Sequence, residues 1–129
     1  MRTVLILDDD KVFRRLVVDA LQKRGHRVLE AGRSAEADAL LESEKPDLLL
    51  VDGLLPDTTG VQWLVKKRKA GFATPVLFVT SFWKTMRDFE LVTSQLGTTE
   101  LLRKPVVAEQ VADRVDALLE GMSEHSGRR

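Results

Sequence analysis

Five short apolar runs, separated by longer segments with a helical period, leave this chain few ways to fold. Runs of that length suit strands, and their alternation with helix-length segments is what a parallel sheet with crossover helices requires. Thr3–Leu7, Leu48–Val51 and Val76–Val79 are almost continuously apolar, as strands covered on both faces must be. Arg27–Ala31 and Glu100–Arg103 are mixed and read as edge strands. Between the runs, Val12, Leu16, Val17, Ala20 and Leu21 form one helical stripe. Ala37, Leu40 and Leu41 form a second, and Val61, Leu64 and Val65 a third. A last helix from Val107 to Glu120 turns Val111, Val115, Leu118 and Leu119 inward. Gly25, Gly71 and Gly97 stand where helices should stop, and Pro46 and Pro75 stand just before strands. The expected fold is α/β, a doubly wound five-stranded parallel sheet with helices on both faces.

A chain of 129 residues is the size of one domain. Residues 1–122 are expected to form it, with 123–129 a polar tail or the start of a linker. Twenty basic and twenty acidic residues cancel, so no overall field would hold the protein on nucleic acid or an anionic membrane. Neither is expected as a direct partner. Without cysteine there is no disulfide framework or thiolate site, which fits a cytoplasmic setting. The first apolar run is too short for a membrane span or a signal sequence, and it stops at Asp8, Asp9 and Asp10. The basic run Lys66–Lys69 reads as a solvated helix face, and His26 and His125 read as solvated or turn residues.

In an open parallel sheet, ligands bind in the crevice outside the carboxyl ends of the strands. The residues expected there are Asp8 and Asp9 after the first strand, Asp52 after the third, Thr80 at the end of the fourth and Lys104 after the fifth. Three carboxylates meeting at one edge repel one another unless a cation joins them, and a hard divalent ion such as Mg²⁺ suits oxygen ligands. Taken singly, Asp8, Asp10 or Thr80 could equally cap the helix that follows. Asp10, the third acid of its run, is assigned to a helix N-terminus.

The series LILDDD, VDGLLPDTTG, VLFVTS and LLRKP resembles the receiver domain of bacterial response regulators, of the chemotaxis-regulator type, across nearly the whole chain. That resemblance implies a flavodoxin-like sheet of strand order 2-1-3-4-5. It implies that Asp52 accepts a phosphoryl group from a sensor histidine kinase or a phosphotransfer protein. Mg²⁺ would be held by Asp9, Asp52 and the backbone carbonyl of Leu54, with Asp8 acting through a water. Lys104 would pair with a phosphoryl oxygen, the Thr80 hydroxyl would reach the same group, and the Lys104–Pro105 bond would be cis. Such a domain catalyses only its own phosphorylation and dephosphorylation. Its output face would lie on the fourth helix, fifth strand and fifth helix; an output domain, a partner protein or a phosphorylation-dependent homodimer there stays open.

Two departures bear on readout. Receivers usually carry Tyr or Phe three residues before the lysine, where this chain has Leu101. The segment from Thr80 to Gly97 also looks longer than the commonest receiver pattern and opens with Phe82 and Trp83. Thr80, Leu101 and Trp83 are therefore the candidate switch residues. Two other readings remain open: a receiver-like fold used only for protein contacts, and a magnesium-dependent phosphohydrolase with an aspartyl nucleophile. The second expects an acid two residues past that nucleophile, where this chain has Leu54.

Overall fold

A computed structural model of the chain describes residues 2–81 and 100–127. The apolar runs form five strands, β1 (Thr3–Leu7), β2 (Arg27–Ala31), β3 (Leu48–Val51), β4 (Val76–Thr80) and β5 (Glu100–Arg103). All pair in parallel, in the order β2-β1-β3-β4-β5. The mixed runs are the edges and the apolar runs the centre, as composition predicts. Successive side chains of a strand point to opposite faces, so a doubly covered strand must be apolar throughout. Val4, Ile6, Leu48 and Leu50 face one core, whereas Leu5, Leu7, Leu49 and Val51 face the other.

Helices α1 (Lys11–Lys23) and α4 (Ala108–Gly127) supply Val17, Leu21, Val111 and Val115 to the first core. Helices α2 (Ser34–Glu44) and α3 (Gly60–Lys69) supply Ala37, Leu41, Trp63 and Leu64 to the second. Gly25 and Gly71 follow α1 and α3 with φ of 87° and 97°, a left-handed conformation that favours glycine. The helix expected between β4 and β5, with Phe82, Trp83 and Gly97, lies outside the described residues.

Four expectations change. Val12 and Leu16, read as part of the α1 stripe, are 72% and 55% exposed. Phe13 and Val18 take their place against the core. This helix carries apolar residues on more than one face, and docking against β2 and α4 selects the face that periodicity alone leaves undecided. The basic run on α3 is only partly solvated. Lys67 pairs with Asp38 at 2.9 Å, and Arg68 donates to the Phe72 carbonyl at 3.0 Å. The same Asp38 accepts the indole N–H of buried Trp63 at 2.8 Å. His26 is mostly covered, its Nε2 lying 2.5 Å from Asp116 Oδ1 on α4, where Arg24 also pairs with Asp116. Finally, α4, expected to end at Glu120, runs to Gly127. Neither proline nor glycine interrupts residues 122–126.

Candidate functional site

Leu7 and Val51 are register partners at the ends of β1 and β3, so the next residue of each strand emerges beside the other. Those residues are Asp8 and Asp52, and the Asp52 N–H donates to the Leu7 carbonyl at 2.9 Å. Asp9 follows on the exposed side. One carboxylate oxygen from each of Asp8, Asp9 and Asp52 lies within 4.8 Å of the others. From the far side, β4 ends on Thr80, whose carbonyl accepts the Lys104 N–H at 2.9 Å. The Lys104–Pro105 bond is cis, as expected. The Lys104 Nζ lies 3.0 Å from Asp8 Oδ2, 3.4 Å from Asp52 Oδ2 and 4.4 Å from the centroid of the Phe13 ring. Four of the expected residues are thus in one cluster. Thr80 is fully buried at the end of its strand.

Asp8 is only 2% exposed. Burial pushes its pKa up to about 6; the Asp52 charge adds to that, while the Asp10 N–H and Lys104 oppose it. Desolvation therefore outweighs the ion pair. Burial pulls the Lys104 pKa down, but its bond to Asp8 and the charges of Asp8 and Asp52 more than offset this, and the net shift is upward. One ammonium facing three clustered carboxylates leaves negative charge uncompensated. A hard divalent cation with oxygen ligands fits that donor set.

The loops that hold the site are built from short polar contacts. Asp8 Oδ1 accepts the Asp10 N–H at 2.9 Å. Asp10 Oδ1 in turn accepts the Phe13 N–H at 3.0 Å and caps α1; this is the helix N-terminal role expected of it. Leu54 donates its N–H to Asp52 Oδ1 at 3.2 Å, with its side chain half exposed. The loop is tied back by the Gly60 N–H to the Gly53 carbonyl at 2.9 Å. At its tip, Asp57 accepts the Ser34 hydroxyl at 2.6 Å and the Ser34 N–H at 3.2 Å. It thereby caps α2, whose own N-cap, Arg33, makes no side-chain capping bond. The Ser34 bond holds the Asp57 carboxyl below its ordinary pKa. Leu101, opposite Phe78 on β5, is partly buried against the second core. Trp83 lies outside the described residues.

Sequence reasoning missed three residues here. Arg14 donates from Nη1 to the Asp8 carbonyl at 2.6 Å and from Nε to Glu30 Oε1 at 3.1 Å, bracing the end of β1 against β2. Phe13 walls the lysine. Gly60 is demanded by proximity, because a Cβ there would stand 2.3 Å from the Asp52 carbonyl oxygen. The first two lie one helical turn past the acids, a position that brings them to the same sheet edge. Gly60 closes the VDGLLPDTTG series.

The family model described as response regulator receiver domain matches residues 4–116. The phosphate regulon transcriptional regulatory protein PhoB of Pseudomonas aeruginosa is 31% identical over 121 residues, 92% of this chain and 52% of that protein. Protein PilH of the same organism is 32% identical over 124 residues, covering 94% of this chain and 100% of PilH. The chain thus spans about half the length of PhoB and all of PilH. A CheY-like response regulator receiver domain protein from Methanospirillum hungatei JF-1 superposes with a TM-score of 0.87 at 24% identity, covering 97% of this chain and 98% of that one, a likeness of fold. Because the family match takes in both sheet edges and every strand that feeds the acidic cluster, the chain belongs to the response regulator receiver domain family of two-component systems.

Proposed function

We propose that this receiver domain accepts a phosphoryl group on Asp52, from the phosphohistidine of a sensor histidine kinase or a phosphotransfer protein. The observation that carries the reading is the convergence of Asp52 with Asp8, Asp9 and Lys104 at the carboxyl edge of the sheet. An aspartate attacks phosphorus when the negative oxygens around it are neutralised and the geometry is held; little other protein chemistry is needed. The Leu54 N–H fixes the plane of the Asp52 carboxylate through Oδ1, and Lys104 stands beside Oδ2. A phosphoryl group arriving there forms an acyl phosphate as the bond to the donor nitrogen breaks, and its oxygens meet the Lys104 ammonium. Asp9, Asp52 and the Leu54 carbonyl would hold Mg²⁺, with Asp8 acting through a water. When bound, the ion offsets the charge of the carboxylates and of the phosphoryl oxygens. Gly60 lets the start of α3 lie close against the backbone carbonyl of Asp52.

The new charge, about −1.5 to −2, lies near the end of β4, where the Thr80 hydroxyl would report it. Leu101 offers neither a phenol nor a rigid ring to couple with that motion, so Trp83 is the proposed readout residue. The output face would be the one built by β5, α4 and the segment between β4 and β5, which a partner protein, an attached output domain or a second copy would read.

Incubation with acetyl phosphate and Mg²⁺, followed by intact mass measurement, tests the reading. One added phosphoryl group, absent without Mg²⁺, is expected. Absence of any adduct refutes it and leaves a domain that works through protein contacts alone.

A further inference from the structure

Phe13 is half buried, packed against the first core on its inner side and lining the mouth of the site with Asp10, Ser81, Lys104 and Pro105 on its outer side. Its ring centroid lies 4.4 Å from the Lys104 Nζ, within the range in which a ring face attracts a cation. The structure assigns Phe13 as a positioning residue for Lys104: the ring face holds the ammonium at the mouth of the acid cluster, ready for an incoming phosphoryl oxygen. This assignment rests on the phosphoacceptor reading above.

A lysine ammonium has three donors on a flexible stem. Asp8 and Asp52 engage it from within the cluster, and its side chain retains 17% exposure. The ring closes a further side without being a strong acceptor, so it confines the ammonium yet leaves a donor for phosphate. The acids cannot do this alone during the reaction. A divalent ion on the same carboxylates would neutralise much of the field that now holds the lysine, whereas the quadrupole of the ring is unaffected by it. The benzene ring therefore matters most when the site is loaded. Asp10 adds a geometric constraint, since its carboxylate accepts the Phe13 N–H and fixes the turn from which the ring projects.

Simple packing predicts a different outcome from a cation–π contact. Mono-, di- and trifluorinated phenylalanine at position 13 nearly preserve shape while progressively draining negative charge from the ring face. At saturating Mg²⁺ the rate of phosphorylation by acetyl phosphate is expected to fall stepwise along the series, by about two- to fivefold in total. Phe13→Leu should be at least as slow, and Phe13→Tyr, which keeps the face, should restore the rate. In the metal-free protein, the Lys104 ε-methylene protons should resonate upfield under the ring current and return downfield in Phe13→Leu. A flat rate across the fluorinated series, with wild type readily phosphorylated, overturns the assignment. So do ε-methylene shifts that Phe13→Leu leaves in place. If wild type itself takes no phosphoryl group, the phosphoacceptor reading fails and this inference fails with it.

Discussion

Replacing Asp8 by Asn should make the metal-free protein more stable, although it removes one partner of an ion pair. The substitution keeps the size of the side chain and an oxygen for the Asp10 N–H, deleting only a buried charge. Lys104 retains Asp52. The folded-state pKa of Asp8, about 6 against an ordinary 3.8, means that the native protein binds this proton more tightly than the unfolded chain does. Its favourable contribution is therefore complete below pH 3.8 and is lost as pH rises through about 6. Two pKa units at ~1.36 kcal/mol each put the cost of the ionised carboxylate on the order of 3 kcal/mol above that window. Urea unfolding in the presence of a chelator, from about pH 4 to about pH 8, reads both the magnitude and its pH dependence. The Asn variant should gain most at the alkaline end, and the gain should shrink toward pH 4. An Asn variant no more stable than wild type at the alkaline end, or an advantage independent of pH, would refute the account of Asp8.

Mg²⁺ should raise the melting temperature of wild type, since a ligand that binds only the folded state stabilises it by mass action; a calorimetric scan of Asp9→Ala should show that response lost, and an undiminished response would remove Asp9 from the ligand set. Gly60→Ala must push the start of α3 away from the Asp52 carbonyl, at about 1–3 kcal/mol of overpacking. Equal denaturation midpoints for the variant and wild type would contradict the close approach. The half-exposed Leu54 side chain beside Asp52 offers no group to orient an attacking water. Leu54→Asn should therefore shorten the lifetime of the phosphorylated form, measured by loss of the phosphoryl mass after removal of the donor; an unchanged decay would count against a water-positioning role.

The three central strands were legible because each announces itself twice, once by an apolar run and once by the proline or acid that bounds it, and the mixed runs at 27–31 and 100–103 marked the edges. Asp8, Asp9, Asp52 and Lys104 could be brought together without coordinates, since parallel strands deliver their carboxyl ends to one edge. Residues whose role depends on side-chain direction were harder to read. Phe13 and Val12 are neighbours of similar character, yet one walls the lysine and the other faces solvent. Trp63 sits next to the stripe that periodicity selects and is buried in the second core, with its indole N–H satisfied by Asp38, 25 residues away. The contact of His26 with Asp116 spans 90 residues, and that of Arg14 with the Asp8 carbonyl involves backbone. No local pattern encodes such pairings.

Chemical mapping of the phosphorylated protein tests directly whether Asp52 carries the phosphoryl group. Acyl phosphates are reduced by borohydride, which would convert a phosphorylated aspartate to homoserine. After treatment with acetyl phosphate and Mg²⁺, reduction and peptide mass analysis should find homoserine at position 52 alone, with none in Asp52→Ala. Homoserine at position 8 or 9 of the wild-type protein, or an undiminished phosphoryl mass in Asp52→Ala, would contradict the account.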